Sequence, residues 1–344
     1  MDLRTSEQSD RGHAWHLEQP PLIVTAVWAE KKPDQGEDAE PLFVHRVSSR
    51  AGILAVFDGA GGAGASSAGR PDDGPERTSA WVGSRFVRAL VEQWFVREVA
   101  DGTGAGESLH EHLAAELTRL RGTAKRKMRS SMQREFPTTM AGLRYRLGDD
   151  SVSWEALWAG DSRAFLLDVS TGLHQLSRDD TVSDDALVLL NEDPPMTNMI
   201  SADRRFDLNS ATGEADLPCV LVCATDGFFG YVTTPAECEH VLLDTLERSE
   251  TAGDWGNALI EDIAGYTGDD ASLVVLAVGF EDFASVKDHY RSRTRELRTQ
   301  HIELINALDS RDREQVVRAR EDSWARYRAG YERLMPLRRE GKGA

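Results

Sequence analysis

Apolar runs and polar stretches alternate along this chain in the order strands, helices, strands, helices, strand. Leu22 to Trp28 (LIVTAVW) is a continuous apolar run of strand length, followed by a polar stretch, AEKKPDQGEDAE. Leu42–Val47 and Ile53–Phe57 predict two more strands. The Gly/Ala/Ser-rich segment from Gly59 to Gly69 predicts a loop, and with Pro71–Pro75 it separates sheet from helix. Apolar positions at helical spacing then predict helices over Thr78–Val99 and Ser108–Met132, with Thr78 and Ser108 as N-caps. Strands return at Thr139–Arg146, Val152–Trp158, Ala164–Val169 and Val220–Ala224, with a long polar loop from Thr181 to Pro218. Helices over Pro235–Arg248 and Asp254–Tyr266 precede a last strand, Ser272–Val278.

Hairpins outnumber strand–helix–strand units, which favours an α+β fold with mostly antiparallel sheets. Three parts are expected: a flexible N-terminus over 1–20, a main domain over 21–284 and a helical extension over 285–344. In the extension, Val286, Tyr290, Leu297, Leu304 and Leu308 make one helical stripe. After a break at Asp309-Ser310, Val317, Trp324, Tyr327, Tyr331 and Leu334 make a second, so an antiparallel helical hairpin is expected. It could pack on the main domain, support an oligomer or dock a partner.

Charge sharpens this division. The net charge is −18, while residues 285–344 hold 15 Lys/Arg against 10 Asp/Glu, so residues 1–284 carry −23. So acidic a body argues against nucleic-acid binding. No apolar run approaches membrane-spanning length and the N-terminus has no apolar signal core, so a cytoplasmic protein with no membrane partner is expected. Cys219 and Cys223 would share one face of a strand; a zinc pair is conceivable, but no second pair completes it, and two small core residues fit better.

The candidate chemistry lies in aspartates beside glycines at strand ends: Asp58-Gly59, Gly160-Asp161, Asp226-Gly227 and Gly268-Asp269-Asp270. Each alone reads as a turn. Four of them at sheet edges can converge, and clustered carboxylates are neutralised by hard divalent cations.

The order of motifs resembles the type 2C metal-dependent serine/threonine protein phosphatases, in a bacterial-type form, from about Ile23 to Val278. AEKKPDQGEDAE is similar to the family's first acidic motif and VFDGAGG to its Asp-Gly-x-Gly-Gly motif. PTTMAGL resembles its Thr-Thr segment, AGDSRAFLL its Gly-Asp-Ser-Arg motif, and LSRDDT the element that follows. CATDGFFGYV resembles the Ser/Thr-Asp-Gly motif, and GDDASLVVLAV the closing Asp-Asn-x-Thr motif.

This resemblance implies a four-layer α-β-β-α sandwich and hydrolysis of phosphoserine and phosphothreonine on proteins by a metal-bridging hydroxide, opposing a serine/threonine kinase. It implies two Mg²⁺ or Mn²⁺ ions and sometimes a third. Asp58 would bridge two ions, Asp226 and Asp269 would complete one site, and Glu37 with the Gly59 carbonyl would serve the other, with Asp38 beside them. Asp161, paired with Asp226, would hold a third ion. Asp58 and Asp226 are thus the expected catalytic pair, and no covalent phosphoenzyme is implied.

The chain departs from the pattern in places. Ala60 stands where many members have the His that serves as general acid, and Pro137, Asp180, Asp270 and Ser272 replace the usual Gly, His, Asn and Thr. No Arg precedes the first acidic motif; Lys31 and Lys32 are the candidates for holding phosphate, as point charges without a bidentate fork. Arg163 is a third candidate, with a structural ion pair as its other reading. Asn191–Asn209 falls at the family's variable flap, where Arg204-Arg205 could meet a phosphopeptide. Two further functions stay open: a pseudophosphatase scaffold that binds a partner through its fold and C-terminal helices, and a phosphatase for a small molecule or nucleotide.

Overall fold

The computed structural model describes residues 5–9, 12–69, 75–101, 108–121, 133–183, 185–191 and 194–338. The chain runs β1 (Thr5–Ser9), β2 (Gly12–Gln19), β3 (Leu22–Ala29), β4 (Leu42–Arg46), β5 (Ala51–Val56), α1 (Gly61–Gly64), β6 (Ser67–Gly69) and β7 (Arg77–Thr78). It continues through α2 (Ser79–Asp101), α3 (Leu109–Arg121), β8 (Met140–Leu147), β9 (Ser151–Ala159), β10 (Arg163–Asp168), β11 (Gly172–Gln175) and α4 (Ala186–Asn191). β12 (Asn209–Asp216), β13 (Cys219–Ala224), α5 (Asp226–Phe229), α6 (Pro235–Arg248), α7 (Ala252–Tyr266) and β14 (Ala271–Val278) follow. Last come α8 (Phe283–Leu297), a π-helical turn over Arg298–Ile302, α9 (Glu303–Asn306) and α10 (Arg313–Tyr331).

Two antiparallel sheets stack face to face. One has the order β1-β2-β3-β14-β13-β10-β11 and the other β12-β9-β8-β5-β4. Period-two alternation sends each central strand's side chains to two cores. Val274 and Leu276 of β14 enter the space between the sheets, while Leu273 and Val275 face α6, α7, α8 and α10. Across the molecule, Ile53, Ala55 and Phe57 pack under α2 and α3. The expected four-layer α-β-β-α sandwich is the observed fold. The expected caps hold: the Thr78 hydroxyl accepts from Trp81 N at 3.1 Å, and Ser108 and Glu111 form a reciprocal pair. Residues 122–132 of the second expected helix lie outside the described residues.

Three expectations are corrected. Residues 12–19 are not loosely attached: β2 pairs with β3 from His13↔Trp28 to Gln19↔Leu22, and Ala14 and Trp15 are buried. The polar run 209–216 is an edge strand paired along its whole length with β9, which its alternating polar residues permit because few of them need burial. The short strand β11 and the short helix α4 also escape sequence periodicity.

The C-terminal helices arise where the pattern places them, with the break between Asn306 and Arg313. Asp282 and Ser285 form a capping box that starts α8. Val286, Tyr290, Leu297, Trp324, Tyr327 and Tyr331 share one buried cluster with the seven-stranded sheet, whereas Leu304 and Val317 stay exposed. The aromatic stripe of α10 is thus spent on the chain's own core. Cys219 and Cys223 do share a face, pointing between the sheets, and burial pushes the Cys219 thiol up to about 12.

Candidate active site

The acids of interest leave the sandwich at one edge. Asp58 follows β5, Asp161 follows β9, Asp226 opens α5 after β13, and Asp269-Asp270 lead into β14. Antiparallel pairing makes this one edge: Ala224 faces Leu273, and Ala159 faces Met140, whose neighbour Ala141 faces Val56. Gly160 turns the chain toward Asp161 with φ +98°, and a Cβ there would stand 2.6 Å from Thr139.

The loop carrying Glu37 and Asp38 is pinned from three sides. Asp270 accepts hydrogen bonds from the backbone N–H groups of Lys31 and Glu37, both at 2.7 Å. The Thr225 hydroxyl donates to Asp38 at 2.9 Å. From α2, Ser84 and Arg85 donate to the Glu37 carbonyl, while Arg85 stacks 4.1 Å over Trp81. The Glu37 side chain accepts from Thr78 and lies against Gly61, where a Cβ would meet its Oε2 at 1.9 Å.

This packing leaves a dense negative field. Burial, then Asp38, Asp226 and Asp161, hold the Asp58 carboxyl well above the usual carboxylate range. Asp161 is raised in the same way by burial, then by Asp226 and Asp179. Burial, with Asp270 and Asp226 nearby, pushes Asp38 up to about 8. Glu37 is raised by burial and then by Asp270 and Asp269, against the pull of its Thr78 hydrogen bond. Asp58 and Asp161 nevertheless keep part of their surface open. Isolated buried carboxylates are costly, so such a group calls for protons or cations.

Two clefts flank the acids, and Asp269 lines both. The first, about 290 Å³, is walled by Asp161, Asp226, Thr181, Leu189 and Tyr231. The second, about 500 Å³, is lined by Glu37, Lys31, Lys32, Arg77 and Trp81.

Of the candidate residues, Asp38, Asp58, Asp161 and Asp226 come together as one mutually repelling group, while Glu37, Asp269 and Asp270 form a second beside it. The Gly59 backbone bridges Thr138 next to them. Lys31 and Lys32 lie at the mouth of the second cleft. Arg163 takes its other reading: it is 3% exposed and forks onto Asp179 with 2.9 and 2.6 Å bonds, with a third bond to the Tyr331 hydroxyl. Both Arg163 and Asp179 still line the first cleft, so the pair forms part of its wall. Among the described residues, neither cleft wall includes Arg204 or Arg205; Phe206 beside them is buried against His110.

Arg77 was missed because it follows a Pro/Gly loop with no acidic motif nearby, and only the fold brings it beside Lys31. It stacks 4.5 Å over Trp81, and its Nε is buried without a hydrogen-bond partner. Asp180 acts structurally, accepting from Gly160 N and the Asn198 and Asn209 side chains.

The donor set suits a hard divalent cation: all oxygen, strongly negative, and with Asp161 Oδ1 buried and unpartnered. Among the described residues, no three acids, histidines or cysteines already close into a compact ligand cluster.

Two antiparallel sheets flanked by helices thus gather the acids at one edge, and the family match assigns this arrangement to the serine/threonine phosphatases, which are hydrolases. The chain belongs to the protein phosphatase 2C family, whose model matches residues 35–263. Its fold is similar to that of a variant of a bacterial serine phosphatase, with TM-score 0.51 and 16% identity over 75% of this chain and 98% of that one. It is also similar to the serine/threonine phosphatase of S. agalactiae, with TM-score 0.50 and 14% identity over 75% of this chain and 99% of that one. At these identities the likeness is one of fold. No curated protein matches the chain. Among the described residues, no helix is long and apolar enough to cross a membrane.

Proposed function

We propose that this phosphatase hydrolyses phosphoserine and phosphothreonine on proteins with divalent cations, Mg²⁺ or Mn²⁺, opposing a serine/threonine kinase. The observation that carries the reading is the crowded group Asp38–Asp58–Asp161–Asp226, in which Asp38, Asp226 and Asp161 add to burial in raising Asp58, Asp226 adds to burial in raising Asp161, and Asp161 Oδ1 is left unpartnered. Asp58, Asp226 and Asp269 would hold one ion, and Glu37 with the Gly59 carbonyl a second. Asp161 is the candidate for a third. Bound there, such ions supply an activated water and offset charge on the phosphoryl oxygens.

The remaining work falls to the chain itself. Lys31, Lys32 and Arg77 present positive charge at the second cleft, with Arg77 Nη1 held on the Asp34 carbonyl. Asp38 is fixed by Thr225, and Asp270 fixes the loop that carries Glu37, so both acids are oriented before substrate arrives. Ala60 offers no proton to the leaving oxygen, so that role is vacant or filled by water, and a rate lower by about 10² to 10⁴ than with a placed acid is expected. A pure scaffold has no need of this costly carboxylate group, which counts against the pseudophosphatase reading.

The test is hydrolysis of a phosphothreonine peptide with Mn²⁺, with EDTA, and by Asp58→Asn. Metal-dependent release of phosphate that vanishes in the variant supports the proposal. Folded wild-type protein that releases no phosphate with either metal would overturn it.

A further inference from the structure

Beyond Tyr331, the last described residues turn back over the loop that walls the first cleft. Arg338 Nη2 donates to the Thr181 carbonyl at 2.6 Å and Nη1 to the Val182 carbonyl at 3.4 Å. Arg328 Nη1 pairs with Asp185 Oδ2 at 2.7 Å. Asp185 Oδ1 in turn accepts from Leu187 N at 3.0 Å and Val188 N at 3.3 Å, the first turn of α4. Arg178 Nε donates to the Pro336 carbonyl at 2.7 Å, tying the strap to the base of the same loop.

These are the residues that shape the cleft. Thr181, Leu189 and Leu190 line it opposite Asp161, Asp226 and Asp269. The loop's other ties are few in number: Ala186 is buried in the core with Leu187 and Leu190 packed on it, α4 is six residues long, and Thr181 pairs with Met196 by an isolated bridge. A short helix of this kind is marginal without tertiary support. Arg328, near the end of α10, and the strap over 332–338 both lie outside the family match over 35–263.

We infer that Arg328 and Arg338 are positioning residues that clamp the wall of the cleft formed by residues 181–183 and 185–191 and so set how the enzyme receives a protein substrate. The inference rests on the phosphatase reading above. A small phosphomonoester needs only the acids and the phosphate-binding charges. A phosphorylated peptide must also lie along the wall, which Arg328 holds by its helix cap and Arg338 by its backbone carbonyls. Loosening the wall therefore weakens peptide binding and leaves the chemistry at the acids alone.

The test uses the full chain with Mn²⁺ and compares wild type, Arg328→Ala, Arg338→Ala and their double variant on a phosphothreonine peptide and on p-nitrophenyl phosphate. The double variant is expected to raise KM for the peptide about fivefold, the scale of two partly exposed polar contacts, with kcat and the small-substrate KM within about twofold. Arg328→Lys, which keeps the charge opposite Asp185, should recover most of the loss due to Arg328. Amide exchange over residues 181–191 should quicken in the double variant while exchange in β13 and β14 is unchanged. Equal losses on both substrates, or exchange over 181–191 that does not change, overturn the inference. If wild type hydrolyses neither probe, the phosphatase reading fails by itself, and exchange still decides the clamp: faster exchange sustains it and unchanged exchange sinks it.

Discussion

Glu239 ties the C-terminal helices to the sandwich, and Glu239→Gln tests how much that tie contributes. The Glu239 side chain is 0% exposed on α6 and its partner Arg293 on α8 is 9% exposed. Arg293 donates to both carboxylate oxygens, at 2.7 and 3.1 Å. The same Oε2 accepts from Leu173 N at 3.1 Å and from the Tyr327 hydroxyl on α10 at 2.5 Å. Gly172, at φ +84°, leaves space for this cluster, since a Cβ would stand 2.3 Å from Arg293 and 2.5 Å from Glu239. Glutamine keeps the shape but removes the charge and turns an amide donor toward other donors. Breaking one side of a buried pair costs about 3–5 kcal/mol, because the remaining charge is left uncompensated. With a urea slope near 2–3 kcal/mol/M, the midpoint should fall by about 1–2 M. Tyr327→Phe, which removes one bond to a charged acceptor, should cost about 1.5–3 kcal/mol. Urea unfolding followed by tryptophan fluorescence, with the Glu239→Gln/Arg293→Met double variant, completes a cycle. If Glu239→Gln costs under about 1 kcal/mol, or the two sites prove additive, the buried tie is not what holds α8 and α10 down.

Three further predictions follow from the site and its supports. Asp38 releases its proton near 3.8 in an unfolded chain but only near 8 in the folded, metal-free one, so the folded state holds more protons and stability falls as pH rises between those values. Thermal melts in EDTA should therefore give a lower midpoint at pH 8 than at pH 5, with Mn²⁺ narrowing the gap; a midpoint that rises with pH in EDTA would contradict this. Gly160→Ala places a methyl 2.6 Å from Thr139 at φ +98° and should cost about 1–3 kcal/mol, read as a lower melting midpoint, with weaker Mn²⁺ binding by calorimetry. Arg163→Met strands Asp179, 4% exposed, and should cost about 3–5 kcal/mol in urea unfolding; a neutral result would return Arg163 to the substrate candidates.

The chain's own pattern determined a good deal. Short, mostly apolar, β-branched-rich runs such as ASLVVLAV favour strands buried on both faces, so the central strands were legible, as were the amphipathic helices and the caps at Thr78 and Ser108. The acids at strand ends were legible too, because a glycine beside an aspartate marks where a strand must turn. Local signals of that kind depend on neighbours within a few residues. Tertiary structure decided what depends on distant partners. Strand β12 is polar and exists because β9 offers it a free edge, and β2 became a strand because β3 did. Arg77 reached the cleft, and Arg163 left the substrate for Asp179 and Tyr331, through contacts across 16 and 168 residues in the second case. The Trp324–Tyr327–Tyr331 stripe could be read as apolar from sequence, but whether it covered the body or a partner was settled by which core accepted it. Periodicity states which face of an element avoids water, and only packing states what covers it.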